Sequence, residues 1–222
     1  SSDLPQLTLR VNTLQTDLET LQTKLDAVGI VSKQSELVPI GLVIESLNNL
    51  AMQEIPGYSE VDFIIQDISS MCVAHLSGVK DDQTVLDVCA APGGKTTHMA
   101  QLMHNSGRVI ARDNQADKLE TINENVTRLK IKNVIVEQYD ALTLDESLIN
   151  TVDVVLVDAP CSGLGIIRRK PDIKYNKTPE GLLGLIDIQK GILKNAAEYV
   201  KVGGTLMYST CTLNPAENQD IV

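Results

Sequence analysis

Two cysteines carry the strongest chemical signal in this 222-residue chain. Cys161 stands in Asp158-Ala159-Pro160-Cys161-Ser162 and Cys211 in Ser209-Thr210-Cys211-Thr212, each just past an apolar run of strand character, Val152–Val157 and Gly204–Tyr208. If those runs are neighbouring parallel strands, their carboxyl ends lie about 5 Å apart, over the edge of an open α/β sheet where ligands bind. One thiol there is compatible with packing alone. Two point to an enzyme in which one sulfur is the nucleophile and the other its helper. Cys72 and Cys89 read as packing residues, and no C-x-x-C pair or disulfide spacing is present.

A second constellation surrounds Cys89-Ala90-Ala91-Pro92-Gly93-Gly94-Lys95-Thr96. Glycines between a strand and a helix let the backbone approach a ligand closely, at a helix N-terminus that favours negative charge. Gly94-Lys95-Thr96 imitates a P-loop, but the pattern requires glycine where Cys89 stands. The G-x-G-x-x-G pattern is not met either, and a tight structural turn is the bland alternative. Asp113 follows the glycines by about twenty residues, where a carboxylate can hold both ribose hydroxyls of an adenosine cofactor. Asp140 and Asp158 follow the next two strands. Any one of these acids alone is more often a cap or a solvated turn; together they outline one adenosine-shaped site. His75, His98 and His104 form no ligand pattern and read as structural or surface residues, so no metal is expected.

These residues need a scaffold, and the apolar pattern supplies one. Strands are predicted at Thr84–Val88, Arg108–Ala111, Val134–Glu137, Val152–Val157 and Gly204–Tyr208, alternating with helices near Lys95–His104, around Leu119–Leu129 and from Thr178-Pro179 onward. Strict alternation implies an α/β fold with a doubly wound, mostly parallel, Rossmann-like sheet over residues 61–222. Residues 1–60 read as a small N-terminal α/β subdomain: a strand at Leu7–Val11, a helix opened by a Thr16/Glu19 capping box and ended by Gly29, and strands within Leu37–Ile44 and Val61–Ile65. A further helix is expected at Asn214-Pro215. The pattern ends there, so the strands that would close the sheet are expected to lie outside this chain, which reads as a fragment.

An apolar share of 43% with 22% charged residues fits a globular domain. The apolar runs are too short to span a bilayer and no signal-like start is present, which makes a cytoplasmic, monomeric protein the expectation. The net charge of −10 argues against a whole-surface nucleic-acid binder. A local strip is different: Arg168, Arg169, Lys170, Lys174 and Lys177 face a single acid, Asp172. Such a strip is either a phosphate clamp or a solvated loop.

Cys-Ala-Ala-Pro-Gly-Gly-Lys-Thr, Asp-Ala-Pro-Cys-Ser-Gly, Arg-Arg-Lys-Pro-Asp-Ile-Lys-Tyr and Tyr-Ser-Thr-Cys-Thr together closely resemble the RNA cytosine-C5 methyltransferases, the bacterial small-subunit rRNA enzymes in particular. The likeness runs from about Pro5 to the end, with Leu9–Leu14 and Gln66-Asp67 also matching; Ser69-Ser70-Met71 departs from the usual pattern. The resemblance implies a class I methyltransferase sheet and S-adenosylmethionine held by Cys89, Ala90, Ala91, Pro92, Gly93, Gly94, Lys95, Asp113, Asp140 and Asp158. It implies Cys211 as nucleophile, Cys161 as the group that assists product release, and Asp158 as the acid near ring nitrogen three. Arg168, Arg169, Lys170 and Lys174 are then placed to hold RNA phosphates, with small-subunit rRNA as partner and tRNA as an alternative. The family's N-terminal helical RNA-binding domain is not part of this chain. Two rival readings remain, a P-loop-like NTPase and a catalytically idle RNA-binding assembly factor.

The chemistry sets its own demands. A thiolate that adds to carbon six of cytosine makes carbon five nucleophilic, and the carbon-five proton must leave before the sulfur can. A free thiol of pKa about 8.5 is mostly protonated at neutral pH, so Cys211 is expected to be activated by the helix beginning at Pro215 and by Lys95 or Arg168. Burial among other carboxylates is expected to keep a proton on Asp158.

Overall fold

A computed structural model describes residues 6–175 and 178–222. Two sheets form. The second is the parallel one: β5 (Thr84–Asp87), β6 (Arg108–Asp113), β7 (Val134–Gln138), β8 (Val152–Asp158) and β9 (Val200–Ser209) lie in the order β7-β6-β5-β8-β9, every pair parallel. The order reverses between β5 and β8, which makes a crevice above their carboxyl ends. Helices α2 (Ile68–Leu76), α3 (Gly94–Leu102), α4 (Ala116–Arg128) and α5 (Pro179–Tyr199) supply the crossovers and cover. One core layer joins Val85, Met99, Met103, Val109 and Leu156; the other joins Leu86, Ile110, Val155, Ile192 and Ala196. Burial on both faces explains why Val154–Val157 of β8 read as an unbroken apolar run.

The first sheet is antiparallel, in the order β2-β3-β1-β4: β1 (Leu7–Val11), β2 (Val31–Gln34), β3 (Gly41–Ser46) and β4 (Phe63–Ile65), with α1 (Leu18–Asp26) packed on it. β4 pairs with β1 through Leu9 and Ile65, so this sheet runs past the boundary drawn at residue 60. β2 has a single apolar residue, Val31, and is an edge strand, which leaves no alternation to find. Helix α1 is capped by Asp17, which accepts from the Thr20 N–H at 2.8 Å; the Thr16/Glu19 box does not form, because Thr16 sits one residue too early. Asn214-Pro215 opens only a single 3-10 turn, Pro215–Glu217. Among the described residues, no helix is long and apolar enough to cross a membrane.

The small sheet is bolted to α3, the helix that follows the glycine-rich turn. Arg10 on β1 is fully buried; its Nη1 donates to Gln66 Oε1 at 2.6 Å and to the Gly94 carbonyl at 2.7 Å, and its Nη2 to the Thr97 hydroxyl at 3.1 Å. No carboxylate is among those partners, and burial, helped by Arg128, lowers the guanidinium to about 9. Gln101 of α3 reaches back to the Val11 carbonyl and the Thr13 hydroxyl, both at 2.9 Å. Arg10→Ala leaves a cavity and buried acceptors without donors, so it should lower the unfolding free energy by about 3 kcal/mol or more in urea titration. A loss under about 1 kcal/mol would mean that the two sheets are held together by other contacts.

Candidate active site

The parallel pairing of β8 with β9 sets Asp158 opposite Ser209, and the chains leave the sheet side by side. The Ala159 N–H donates to the Ser209 carbonyl at 2.9 Å, which extends the ladder one step beyond the strand. Cys161 and Cys211 then face each other with their sulfurs 3.2 Å apart. The Cys211 N–H points at Cys161 Sγ at 3.3 Å. Glycine is required beneath them: at Gly165, a Cβ would stand 2.8 Å from the Cys211 carbonyl oxygen, to which the Gly165 N–H donates at 3.0 Å.

The two thiols do not ionise alike. Cys161 is lowered to about 7, chiefly by the hydrogen bond from Cys211 and then by backbone N–H groups of Cys211 and Gly163, against the opposing effect of burial. Cys211 is pushed up, first by its bond to Cys161 and then by burial. With the Cys211 N–H aimed at its sulfur, Cys161 is the better placed of the pair to carry the negative charge. The expected activation of Cys211 is corrected on two counts. The single turn at Pro215–Glu217 has too few aligned peptides for a helix dipole, and the lowering effect of Lys95, which sits against Asp158, is outweighed by Cys161 and by burial.

Lys95 Nζ lies 2.5 Å from Asp158 Oδ2, and the Ser209 hydroxyl donates to Asp158 Oδ1 at 2.8 Å. Asp158 thus has an ammonium as its partner, where the sequence suggested neighbouring carboxylates. Burial falls instead on Asp87, at the end of β5, which the sequence reading passed over. It is raised to about 7 by burial, even though the Thr96 hydroxyl donates to Oδ2 at 2.7 Å. Its other oxygen is buried and has no hydrogen-bond partner among the described residues. The signal was present, since an acid ending the first strand precedes Cys89 by two residues.

Asp158 and Cys211 each border two cavities. The first, about 460 Å³, is floored by Cys89 and Ala91, edged by Asp113 and Asp140, and walled by Leu142 and Ile188. Its volume and mixed lining suit a small-molecule cofactor. Asp113 Oδ1 receives the Gln115 N–H at 3.2 Å, and its Oδ2 faces the Ala91 N–H at 3.4 Å. Gly93, with φ +97°, turns the chain into α3. Asp140 is exposed and takes the Leu142 N–H at 3.0 Å. Of the residues expected around the cofactor, Cys89, Ala91, Asp113, Asp140 and Asp158 line this cavity; Pro92 and Lys95 line the second, while Ala90 and Gly93 are buried in the turn and Gly94 faces the small sheet. Cys89 is pushed up by burial, in keeping with packing.

The second cavity, about 620 Å³, opens between α2 and the two cysteine loops, past Ser69, Ser70, Lys95, Arg169 and Lys170. Arg168, Arg169 and Lys170 are exposed, and Arg169 is ion-paired with Asp67, so part of the basic strip is neutralised. The side chain of Lys174, and all of Lys177, lie outside the described residues. Among the described residues, no cluster suits a metal ion.

A doubly wound sheet with an acid-edged cleft at its reversal point defines the class as a Rossmann-like nucleotide-binding fold. Family comparison narrows it. Residues 74–222 match the 16S rRNA methyltransferase RsmB/F family and residues 2–51 match the ferredoxin-like domain of RsmF/B-like methyltransferases. The chain belongs to the RsmB/F methyltransferase family. It is 42% identical over 98% of its length to the "Probable ribosomal RNA small subunit methyltransferase B" of Bacillus subtilis, covering 48% of that protein. It is 34% identical over its whole length to the human 28S rRNA (cytosine(4447)-C(5))-methyltransferase, covering 28% of it. The chain spans about half the length of the bacterial relative or less of such proteins. A solved methyltransferase homologue from Pyrococcus horikoshii superposes with a TM-score of 0.86 at 32% identity, covering 98% of this chain and 68% of its own.

Asp87 gives this site a pH signature. Its folded pKa lies above the ordinary aspartate value of 3.8, so the folded state holds the proton more tightly and loses stability as pH rises from about 4 to about 7. Asp87→Asn cannot titrate. In urea unfolding, the variant should gain on the wild type across that window and run parallel above about pH 8. A constant difference from pH 4 to 8 would contradict the raised pKa.

Proposed function

We propose that the protein is an S-adenosylmethionine-dependent RNA (cytosine-C5)-methyltransferase acting on small-subunit rRNA through a covalent adduct between Cys211 and carbon six of the base. The observation that carries this reading is a pair of thiols 3.2 Å apart, Cys161 lining the first cavity and Cys211 bordering both. One cavity suits the cofactor and the other opens toward the basic strip. S-adenosylmethionine supplies a sulfonium-bound methyl group when bound; Asp113 would hold its ribose hydroxyls, with Cys89 to Ala91 and Asp140 around the rest.

The target base enters the second cavity, which requires it to be unstacked from its neighbours. The Lys95–Asp158 pair offers a donor and an acceptor side by side, which matches ring nitrogen three and the exocyclic amine of cytosine. Cys161, the readier thiolate, takes the proton of Cys211 as the Cys211 sulfur bonds to carbon six. Having returned that proton to water, Cys161 assists removal of the carbon-five hydrogen, and the Cys211–carbon bond breaks to restore the ring. Arg168, Lys170 and Lys174 hold flanking phosphates, with Arg169 joining them once released from Asp67. The human relative's name concerns 28S rRNA; the choice of small-subunit RNA rests on the bacterial relatives. The NTPase and the idle-module readings leave the paired thiols without a task.

Cys211→Ala should abolish methyl incorporation and any adduct with RNA carrying 5-fluorocytosine. Cys161→Ala should form the adduct more slowly, because Cys211 must then lose its proton to water, but should accumulate it in methylated form, visible as a slow band on a denaturing gel and lost in the double variant. Adducts that persist in Cys211→Ala would reverse the roles of the two sulfurs.

A further inference from the structure

Glu217 is fully buried, and none of its partners is a cation. Its carboxylate collects donors from three segments. From the Cys161 loop come the Ser162 N–H at 2.8 Å and the Ser162 hydroxyl at 2.5 Å. From the Cys211 loop come the Thr212 hydroxyl at 3.4 Å and Asn214 Nδ2 at 3.1 Å. From α5 comes Gln189 Nε2 at 3.1 Å, which also donates to the Pro160 carbonyl at 2.9 Å. The Ser162 and Thr212 hydroxyls lie 2.7 Å apart. Burial alone would push this carboxyl up, but the bonds from Ser162, Asn214 and Gln189 outweigh it and hold the group below its ordinary value.

An anion buried in this way is an expensive means of filling space, since an apolar residue of the same volume is often as stable or more so. Its geometry suggests a different use. Glu217 touches the residue that directly follows each cysteine, from a point beneath both loops. We propose that Glu217 is a positioning residue that sets the separation and orientation of Cys161 and Cys211 by clamping Ser162 and Thr212. The inference rests on the reading of the two thiols as the reactive pair. Neither strand ladder reaches past Ala159, so without the clamp each cysteine sits on a loop joined to the other by no backbone pairing except the Gly165–Cys211 bond.

Diamide measures that separation without RNA or cofactor: two thiols give up two protons and two electrons to it and form one S–S bond. In the full chain, Cys161 and Cys211 should cross-link rapidly, seen as a loss of two free thiols and a linked peptide pair by mass spectrometry. Glu217→Gln keeps the volume but presents an amide N–H₂ to donors. It should slow cross-linking by about fivefold or more and lower kcat by about tenfold, with S-adenosylhomocysteine affinity and the RNA KM within about twofold of wild type. Cross-linking at the wild-type rate overturns the proposal whatever kcat does, and so does a parallel loss of S-adenosylhomocysteine binding. If Glu217→Gln fails to fold, Ser162→Ala and Thr212→Val each remove one leg of the clamp; slowed cross-linking in both supports it, and wild-type rates in both overturn it. A wild-type protein that cross-links yet methylates no RNA would sink the functional reading alone.

Discussion

The parallel register of β8 on β9 is the constraint from which the site follows. Setting Asp158 against Ser209 brings two loops from distant parts of the chain to the same point above the sheet. The sulfurs at their tips are fifty positions apart in sequence and 3.2 Å apart in space. Shifting β9 by one residue would turn its inward face outward and separate the thiols in the same movement. The apolar packing of Val155, Leu206 and Tyr208 with Ile192 and Ala196 of α5 therefore helps to hold the two loops in place as well as the fold.

Electrostatics then divides the work between two similar sulfurs. Backbone N–H groups converge on Cys161 and favour its anion, while Cys211 keeps its proton beside that anion. Two thiols so close interact too strongly to titrate independently. In the proposed reaction, a single proton shared across the pair gives Cys211, the attacking sulfur, a base already in contact. The Lys95–Asp158 pair stands beside them, partly shielded from water, where an ion pair also serves as a matched donor and acceptor. The acidic body and the basic strip at residues 168–170 fit an arrangement in which charge guides the substrate to one face.

Much of this was legible in the sequence because it depends on periodic patterns and on residues at strand ends. The five parallel strands follow from apolar runs bounded by turns, and the cleft follows from Asp113, Asp140 and Asp158 at three of those ends. What was not legible depends on contacts between distant residues. The edge strand β2 has no alternation to betray it. Arg10, Asp87 and Glu217 look like ordinary charged residues until the fold buries them. The partner of Asp158 was misjudged because Lys95 lies 63 positions away and in sequence belongs to the glycine-rich turn. The unequal ionisation of the cysteines was hidden for the same reason, since the Cys211 thiol and the N–H groups that favour the Cys161 anion come from the other loop and from Gly163.

The central claim is that the two thiols form one coupled pair in which Cys161 ionises first. Site-resolved alkylation by iodoacetamide, followed by peptide mass spectrometry from pH 5 to pH 10, measures this directly. Cys161 should become reactive with a midpoint near pH 7, and Cys211 should stay slow until well above it. Once Cys161 is alkylated or replaced by Ser, the Cys211 midpoint should move toward that of a free thiol. Two independent midpoints near 8.5, or Cys211 reacting first, would contradict the account.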